Sequence, residues 1–206
     1  YLDRVGWSAQ GLGTFMGRLL SQEGLLGANQ DPYMRTHPVT SNRVRLIENH
    51  VATRGARYGP PPDAYQLAHE RIRAKIIGYL EPSSTVYRRF PSTDQSVVGR
   101  YARAYADFRR GDPEAALRGM DSILRELPND PFFIEFRGDI LRDAGRPQEA
   151  VQSYARAAQM MPEIALIHFS LGRAHLDAGG AIALEEAQRA FRAGLDSRAG
   201  RGMFKP

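Results

Sequence analysis

Gly111-Asp112-Pro113-Glu114-Ala115-Ala116-Leu117 decides the fold, because its pattern returns 34 residues later as Gly145-Arg146-Pro147-Gln148-Glu149-Ala150-Val151. Around it, Met120 returns as Tyr154 and Pro128 as Pro162. A third copy keeps Leu171, Gly172, Ala174 and Gly179, then slips by three residues before Ala187, Phe191 and Leu195. Two packed helices per copy give each position a physical reason. Gly111, Gly145 and Gly179 end the first helix, where the residue past the last turn often takes positive φ. Pro113 and Pro147 open the second, where a missing N–H costs little. Gly138 and Gly172 are small where the first helix presses on the second, and Ala116, Ala150 and Ala187 are small where the second returns the contact.

Helix pairs repeating every 34 residues are the tetratricopeptide signature. The sequence therefore predicts an all-α chain: a tetratricopeptide superhelix over residues 63–200, with repeats at about 97–130, 131–164 and 165–197, preceded by helices in residues 1–58. With 206 residues, 42% hydrophobic and 25% charged, composition fits one or two globular domains. No apolar run reaches the length of a membrane span. The absence of cysteine excludes disulfides and thiolate metal sites. Residues 1–100 hold 13 basic and 8 acidic side chains and residues 101–206 hold 15 of each, so the net +5 belongs to the first half. No aromatic-basic motif for stacking bases accompanies that charge, so nucleic acid is not an expected partner.

Tyr1 to Val5 reads as the tail of a helix broken by Gly6, and the first residue is not methionine, as in a processed or trimmed chain. Ser8 caps a helix expected to run to about Glu23, with Leu12, Phe15, Met16, Leu19 and Leu20 on one face. Gly24 to Asn29 reads as a connection. Pro38 holds His37 extended, and Thr40 or Ser41 caps a helix carrying Val44, Ile47 and Val51. Arg54 to Pro62, with three prolines, reads as a linker. Beyond it Asp63 caps a helix to Leu80, whose expected buried stripe is Leu67, Ala68, Ile72, Ile76 and Leu80. Glu81 to Asp94 reads as irregular, packing through Val86, Tyr87 and Phe90. Ser96 to Arg109 is the first repeat helix. Glu185, Glu186, Gln188, Arg189 and Arg192 give the last helix a polar face, as the end of a repeat array requires.

The opening Tyr1–Ser8, the stretch Tyr33–Val44 with Thr36-His37-Pro38 ahead of Arg43-Val44, and the repeats over Val97–Leu195 occur in an order that resembles the C-terminal part of BepA-like, HtpX-related bacterial periplasmic zinc metallopeptidases. The resemblance implies that residues 1–58 are the tail of a metallopeptidase domain. It also implies a zinc held by two histidines of an HExxH helix and a later glutamate, all upstream of Tyr1. A periplasmic location, envelope clients or assembly machinery as partners, and proximity to the membrane through the parent enzyme follow from it in the same way. His37 would then approach the parent's zinc, the alternative being a loop histidine bonded to backbone. Within this chain His69-Glu70 begins like the motif but continues Arg71-Ile72-Arg73 with no histidine in the fifth place. No zinc-activated water can be assembled that way. The chain alone is therefore expected to be non-catalytic and without cofactor.

What remains is recognition of protein. Arg103, Arg137, Arg142 and Arg173 fall on the first helices of the repeats, which line the concave side of such arrays. They are candidates for gripping acidic or C-terminal peptide groups by bidentate bonds. The alternative is a solvated face paired with Asp107, Asp139 and Asp143. His168 and His175, two turns apart, are expected to line the groove or core rather than bind metal. Tyr101, Tyr105, Phe132, Phe133, Phe136 and Tyr154 read as packing between helices. A protein-binding repeat region is the function expected, with self-association among its uses; the rival is a free-standing adaptor unconnected with proteolysis.

Overall fold

A computed structural model describes residues 1–26 and 41–197. Among these every regular element is helical, and the strand-like contact is one isolated bridge between Trp7 and Gly59. The chain divides into two compact units, Tyr1–Ala68 and His69–Pro206.

In the first unit a 3₁₀ turn, Leu2–Val5, ends on Gly6 at φ 74°, a left-handed conformation that suits glycine. The Ser8 hydroxyl accepts from the Gln10 N–H at 3.2 Å, and α1 follows over Gln10–Leu26, longer than the expected stop at Glu23. Leu12 and Phe15 lie exposed, so the apolar face of α1 is only partly covered. α2 spans Ser41–Arg54 and buries Val44. Gly13 lets α2 approach, since a Cβ there would stand 3.3 Å from Ile47. The proline-rich stretch is tied down rather than loose: Ser8 donates to the Gly59 carbonyl at 2.8 Å, and Gly59 donates to Gly6 at 3.2 Å. His50 Nε2 lies 2.9 Å from Asp3 Oδ1. His37 lies outside the described residues, as do residues 27–29 of the expected connection.

The second unit holds the repeats. α5 (Val97–Arg109) and α6 (Pro113–Glu126) form the first pair, α7 (Pro131–Asp143) and α8 (Pro147–Met160) the second, α9 (Ala165–Ala178) and α10 (Ala183–Asp196) the third. Local chemistry sets these bounds. Ser96, Asp112 and Asp130 each cap a helix by accepting from a backbone N–H inside its first turn. Pro113, Pro131 and Pro147 stand at the first helical positions. Gly111, Gly145 and Gly179 take φ of 81°, 72° and 66°, as the period requires. The three-residue slip in the third copy is taken up between Gly180, at φ 102°, and Ala183.

Within each pair a small residue on the first helix receives a large one from the second. A Cβ at Gly138 would meet the Tyr154 ring at 2.9 Å, and one at Gly172 would meet Phe191 at 2.5 Å. Ala116, Ala150 and Ala187 are fully buried on the facing helices. Across the first two pairs, aromatic rings fill the core: Tyr105 stacks on Phe136 with centroids 3.6 Å apart, and Tyr101 meets Phe133 edge-on at 4.8 Å. Such pairs add about 0.5–1.5 kcal/mol each beyond burial.

Two expectations are overturned. Residues 83–89 form a helix, α4 (Ser83–Arg89), where Ser-Ser-Thr and flanking prolines suggested irregular chain. Tertiary contact outweighs low propensity here. Val86 is fully buried, and the Tyr87 hydroxyl donates to Asp107 at 2.6 Å. Burial and that carboxylate push the Tyr87 pKa up to about 12. The second correction concerns α3 (Asp63–Leu80): Leu67, Ala68, Ile72, Ile76 and Leu80 are exposed, Ile72 at 58% and Leu80 at 68%. The buried face of α3 is instead Ala74 and Gly78, with Arg71 and Ile77 partly covered.

The Gly172–Phe191 crossing yields a stability prediction. Gly172→Ala places a methyl inside the ring's space and is expected to cost about 1–3 kcal/mol in chemical denaturation, by overpacking. Adding Phe191→Leu is expected to recover part of that loss. A Gly172→Ala variant as stable as wild type would contradict the crossing.

Candidate functional site

The 34-residue register brings equivalent positions to one face of the first helix in each repeat. Val98, Tyr101, Tyr105 and Phe108 on α5 correspond to Phe132, Glu135, Asp139 and Arg142 on α7, and to Leu166, Phe169, Arg173 and Leu176 on α9. The three quartets differ sharply in exposure. Tyr101 and Tyr105 are each only 4% exposed, Glu135 and Asp139 are half-buried, and Leu166, Arg173 and Leu176 are exposed, Leu166 at 61%.

The cover over α5 and α7 comes from the half of α3 that belongs to the same unit. Arg71 Nη2 donates to Asp130 Oδ2 at 2.7 Å, and its guanidinium lies 4.1 Å from the Phe133 ring centre. The Lys75 ammonium stands 5.6 Å from the Tyr105 ring centre. Gly78 packs directly on α5: a Cβ there would lie 2.4 Å from the Ala102 carbonyl oxygen and 2.7 Å from the Tyr105 Cβ. Arg109 closes the end by donating to the Tyr79 carbonyl. Between these helices a cleft of about 360 Å³ is lined by Lys75, Ile76, Tyr79, Leu80, Tyr105, Phe108, Phe136 and Asp139.

Besides its rings the cleft is lined by Asp139 and Lys75, and Glu135 stands one turn before Asp139 on α7. Burial raises the pKa of Asp139 above the ordinary carboxylate value, and the Tyr154 hydroxyl, donating at 2.6 Å, works against that rise. Burial and then the Asp139 charge raise Glu135, while Lys75 favours the ionised form of both. Desolvation is the largest influence on each carboxyl, so an unaided carboxylate is disfavoured there. Among the described residues no three histidine, aspartate or glutamate side chains form a group that could hold a metal ion.

The arginines singled out by sequence part company. Arg103 donates to three carbonyls, of Phe90, Pro91 and Asp94, at 3.2, 2.6 and 2.9 Å, and so holds the turn before α5. Arg137 points between helices, to Asp121 at 2.8 Å and the Ser153 hydroxyl at 3.3 Å. Arg142 pairs with Asp143 at 3.2 Å. Arg173 is exposed and has no hydrogen bond or ion pair among the described residues. Asp107, grouped by sequence with a solvated face, is buried between Tyr87 and Arg110. His168 is buried and donates through Nε2 to the Pro162 carbonyl at 3.0 Å, a packing role. A larger cleft of about 770 Å³ lies in the first unit, lined by Trp7, Leu12, Tyr58, Pro60 and Pro61 among others. Sequence reasoning missed Arg71, Lys75 and Gly78, because nothing local tells which face of α3 is covered.

This arrangement defines an all-α, tetratricopeptide-like helical-repeat fold. Two solved structures of MamA share it. One has a TM-score of 0.55 at 14% identity, covering 66% of this chain and 80% of that chain. The other has a TM-score of 0.55 at 13% identity, covering 94% and 96%. At that identity the likeness concerns the fold. An uncharacterized protein of Rhizobium meliloti (strain 1021) is 28% identical over 166 residues, which is 78% of this chain and 38% of that protein. The chain thus spans well under half the length of this curated relative. No protein-family model matches the chain.

The raised carboxyls give a pH prediction. A carboxyl whose folded pKa lies above its unfolded value adds stability below the unfolded pKa and loses it as pH rises through the folded one. Asp139→Asn keeps an oxygen for the Tyr154 hydroxyl and removes the charge. The stability of the variant relative to wild type is therefore expected to fall as pH drops from neutral into the carboxylate range, measured by denaturant titration. A pH-independent difference would contradict the burial of Asp139.

Proposed function

We propose that the chain is a protein-binding scaffold whose open recognition surface is the inner stripe of α9. Leu166, Arg173 and Leu176 follow helical spacing on one face, with Phe132 at the equivalent place on α7. The observation that carries this reading is the free guanidinium of Arg173 between two exposed leucines. Elsewhere on these helices arginines are spent on carbonyls and carboxylates. Apolar side chains flanking a guanidinium suit an apolar peptide that carries a carboxylate, which Arg173 takes bidentately. Selection of displayed peptides on the chain is expected to enrich apolar-acidic sequences, and Arg173→Glu is expected to weaken the selected peptides by at least about tenfold. Failure to enrich any peptide, or binding indifferent to Arg173→Glu, would contradict the reading.

The finer proposal is that this scaffold serves a zinc metalloendopeptidase engaged in quality control of periplasmic envelope proteins, holding clients or assembly machinery near the protease. The support is the Tyr1–Ser8 and Tyr33–Val44 resemblance. Tyr1–Ser8 and residues 41–44 of the second stretch lie in the compact unit Tyr1–Ala68, where the Ser8 N–H donates to the Gly59 carbonyl. An HExxH helix encoded upstream of Tyr1, with chelator-sensitive cleavage by that longer protein, would bear it out. Upstream sequence without that motif would leave the adaptor reading in its place.

A further inference from the structure

The second half of α3 does not sit where a repeat helix would. In a repeat array each unit touches only its immediate neighbours. From residues 71 to 78, α3 touches two successive repeats at once: Gly78 rests on Ala102 and Tyr105 of the first, and Arg71 bonds to Asp130 and covers Phe133 of the second. It lies on the face whose third-repeat counterpart, around Arg173, stands open.

The fit is chemical as well as steric. Toward the groove α3 sets Arg71, Ala74, Lys75 and Gly78, at i, i+3, i+4 and i+7; Lys75 is exposed, and Ile77 beside them is half-buried. Arg71 bonds to Asp130, the Lys75 charge favours the ionised forms of Glu135 and Asp139 without pairing with either, and Gly78 lets the helix backbone approach α5. The outward face, Ile72, Ile76, Tyr79 and Leu80, is apolar and exposed. The seat is also incompletely satisfied: Arg71 Nε is buried without an acceptor. Ile77 is the one large apolar side chain of α3 that is half-buried, so most of the helix's apolar surface faces solvent, unlike that of a core helix.

We propose that α3 from His69 to Leu80 is an intramolecular ligand filling the α5–α7 groove, and that the external ligand of this groove is a basic amphipathic helix of a partner protein presenting the same Arg, small, Lys, small spacing. The inference rests on the protein-binding reading above and adds to it the partner chemistry and the device that withholds the groove. Charge complementarity between the acidic groove and its cationic occupant selects this partner over an acidic one. Docking then requires α3 to leave, so the partner competes with the chain's own helix.

The test uses the full chain and a labelled synthetic peptide of residues 66–82. Gly78→Val removes the close approach of α3 to Ala102 and leaves every groove residue in place. Fluorescence anisotropy is expected to show the peptide binding Gly78→Val at least tenfold more tightly than wild type. A peptide carrying Arg71→Glu and Lys75→Glu is expected to lose that binding. Equal affinity for the two chains, or indifference to the charge reversal, overturns the proposal. So does loss of cooperative unfolding in Gly78→Val, since α3 is then a structural member of the stack. Peptides selected on wild-type chain that depend on Arg173 distinguish the two readings: their survival alongside any of these results leaves the scaffold standing and removes only the α3 proposal.

Discussion

The second and third helix pairs depend on the contact between a glycine on the first helix and an aromatic ring on the second; the first pair places Ala104 and Met120 at these positions. Gly138 against Tyr154 and Gly172 against Phe191 set how closely the helices approach, because the missing Cβ leaves room for a whole ring edge. That approach buries Ala150 and Ala187 on the facing helices and orients α7 and α9 in the stack. The remaining face of each first helix, opposite its partner, is the one that the proposed scaffold uses for recognition. Capping by Ser96, Asp112 and Asp130 and the positive φ of Gly111, Gly145 and Gly179 fix where each helix starts and stops. They do not hold the helices together; the ring contacts do.

The recognition face is uneven along the array, and the unevenness has a physical source. At the first two repeats it is lined by Tyr101, Tyr105, Glu135 and Asp139, a surface that would leave aromatic area in water and carboxylates side by side. α3 relieves both, laying Gly78 against Ala102 and the Tyr105 Cβ, the Arg71 guanidinium over Phe133 and onto Asp130, and the Lys75 charge toward Glu135 and Asp139. At the third repeat the equivalent residues, Leu166, Arg173 and Leu176, are uncovered. One face of one solenoid thus carries a filled acidic segment and an open cationic one. Under the two proposals these segments take ligands of opposite charge.

Much of this was legible in the sequence, for identifiable reasons. Helix ends were readable because they depend on neighbours in the chain: Pro113, Pro147 and the three glycines act locally. The small-to-large crossings were readable because the 34-residue period repeats them. α4 was not, since Ser83-Ser84-Thr85 is a poor helix former and the helix is held by Val86 and the Tyr87–Asp107 bond across more than a dozen residues. The burial of α3 was read on the wrong side, because an apolar stripe of Ile72, Ile76 and Leu80 ordinarily marks a core face. Arg103 and Arg137 could not be told from Arg173 by residue type. Only the position of Phe90, Pro91 and Asp121 beside the first two separates them.

A seated helix and a stacked helix differ in how they open. Native-state hydrogen exchange resolves regions that unfold separately from the global transition. If α3 is a ligand of the groove, amides within residues 72–80 exchange through an opening of lower free energy and smaller denaturant dependence than those of α5 to α8. If those amides share one free energy and one denaturant dependence with α5 to α8, α3 is part of the stack and the account of a withheld groove is wrong.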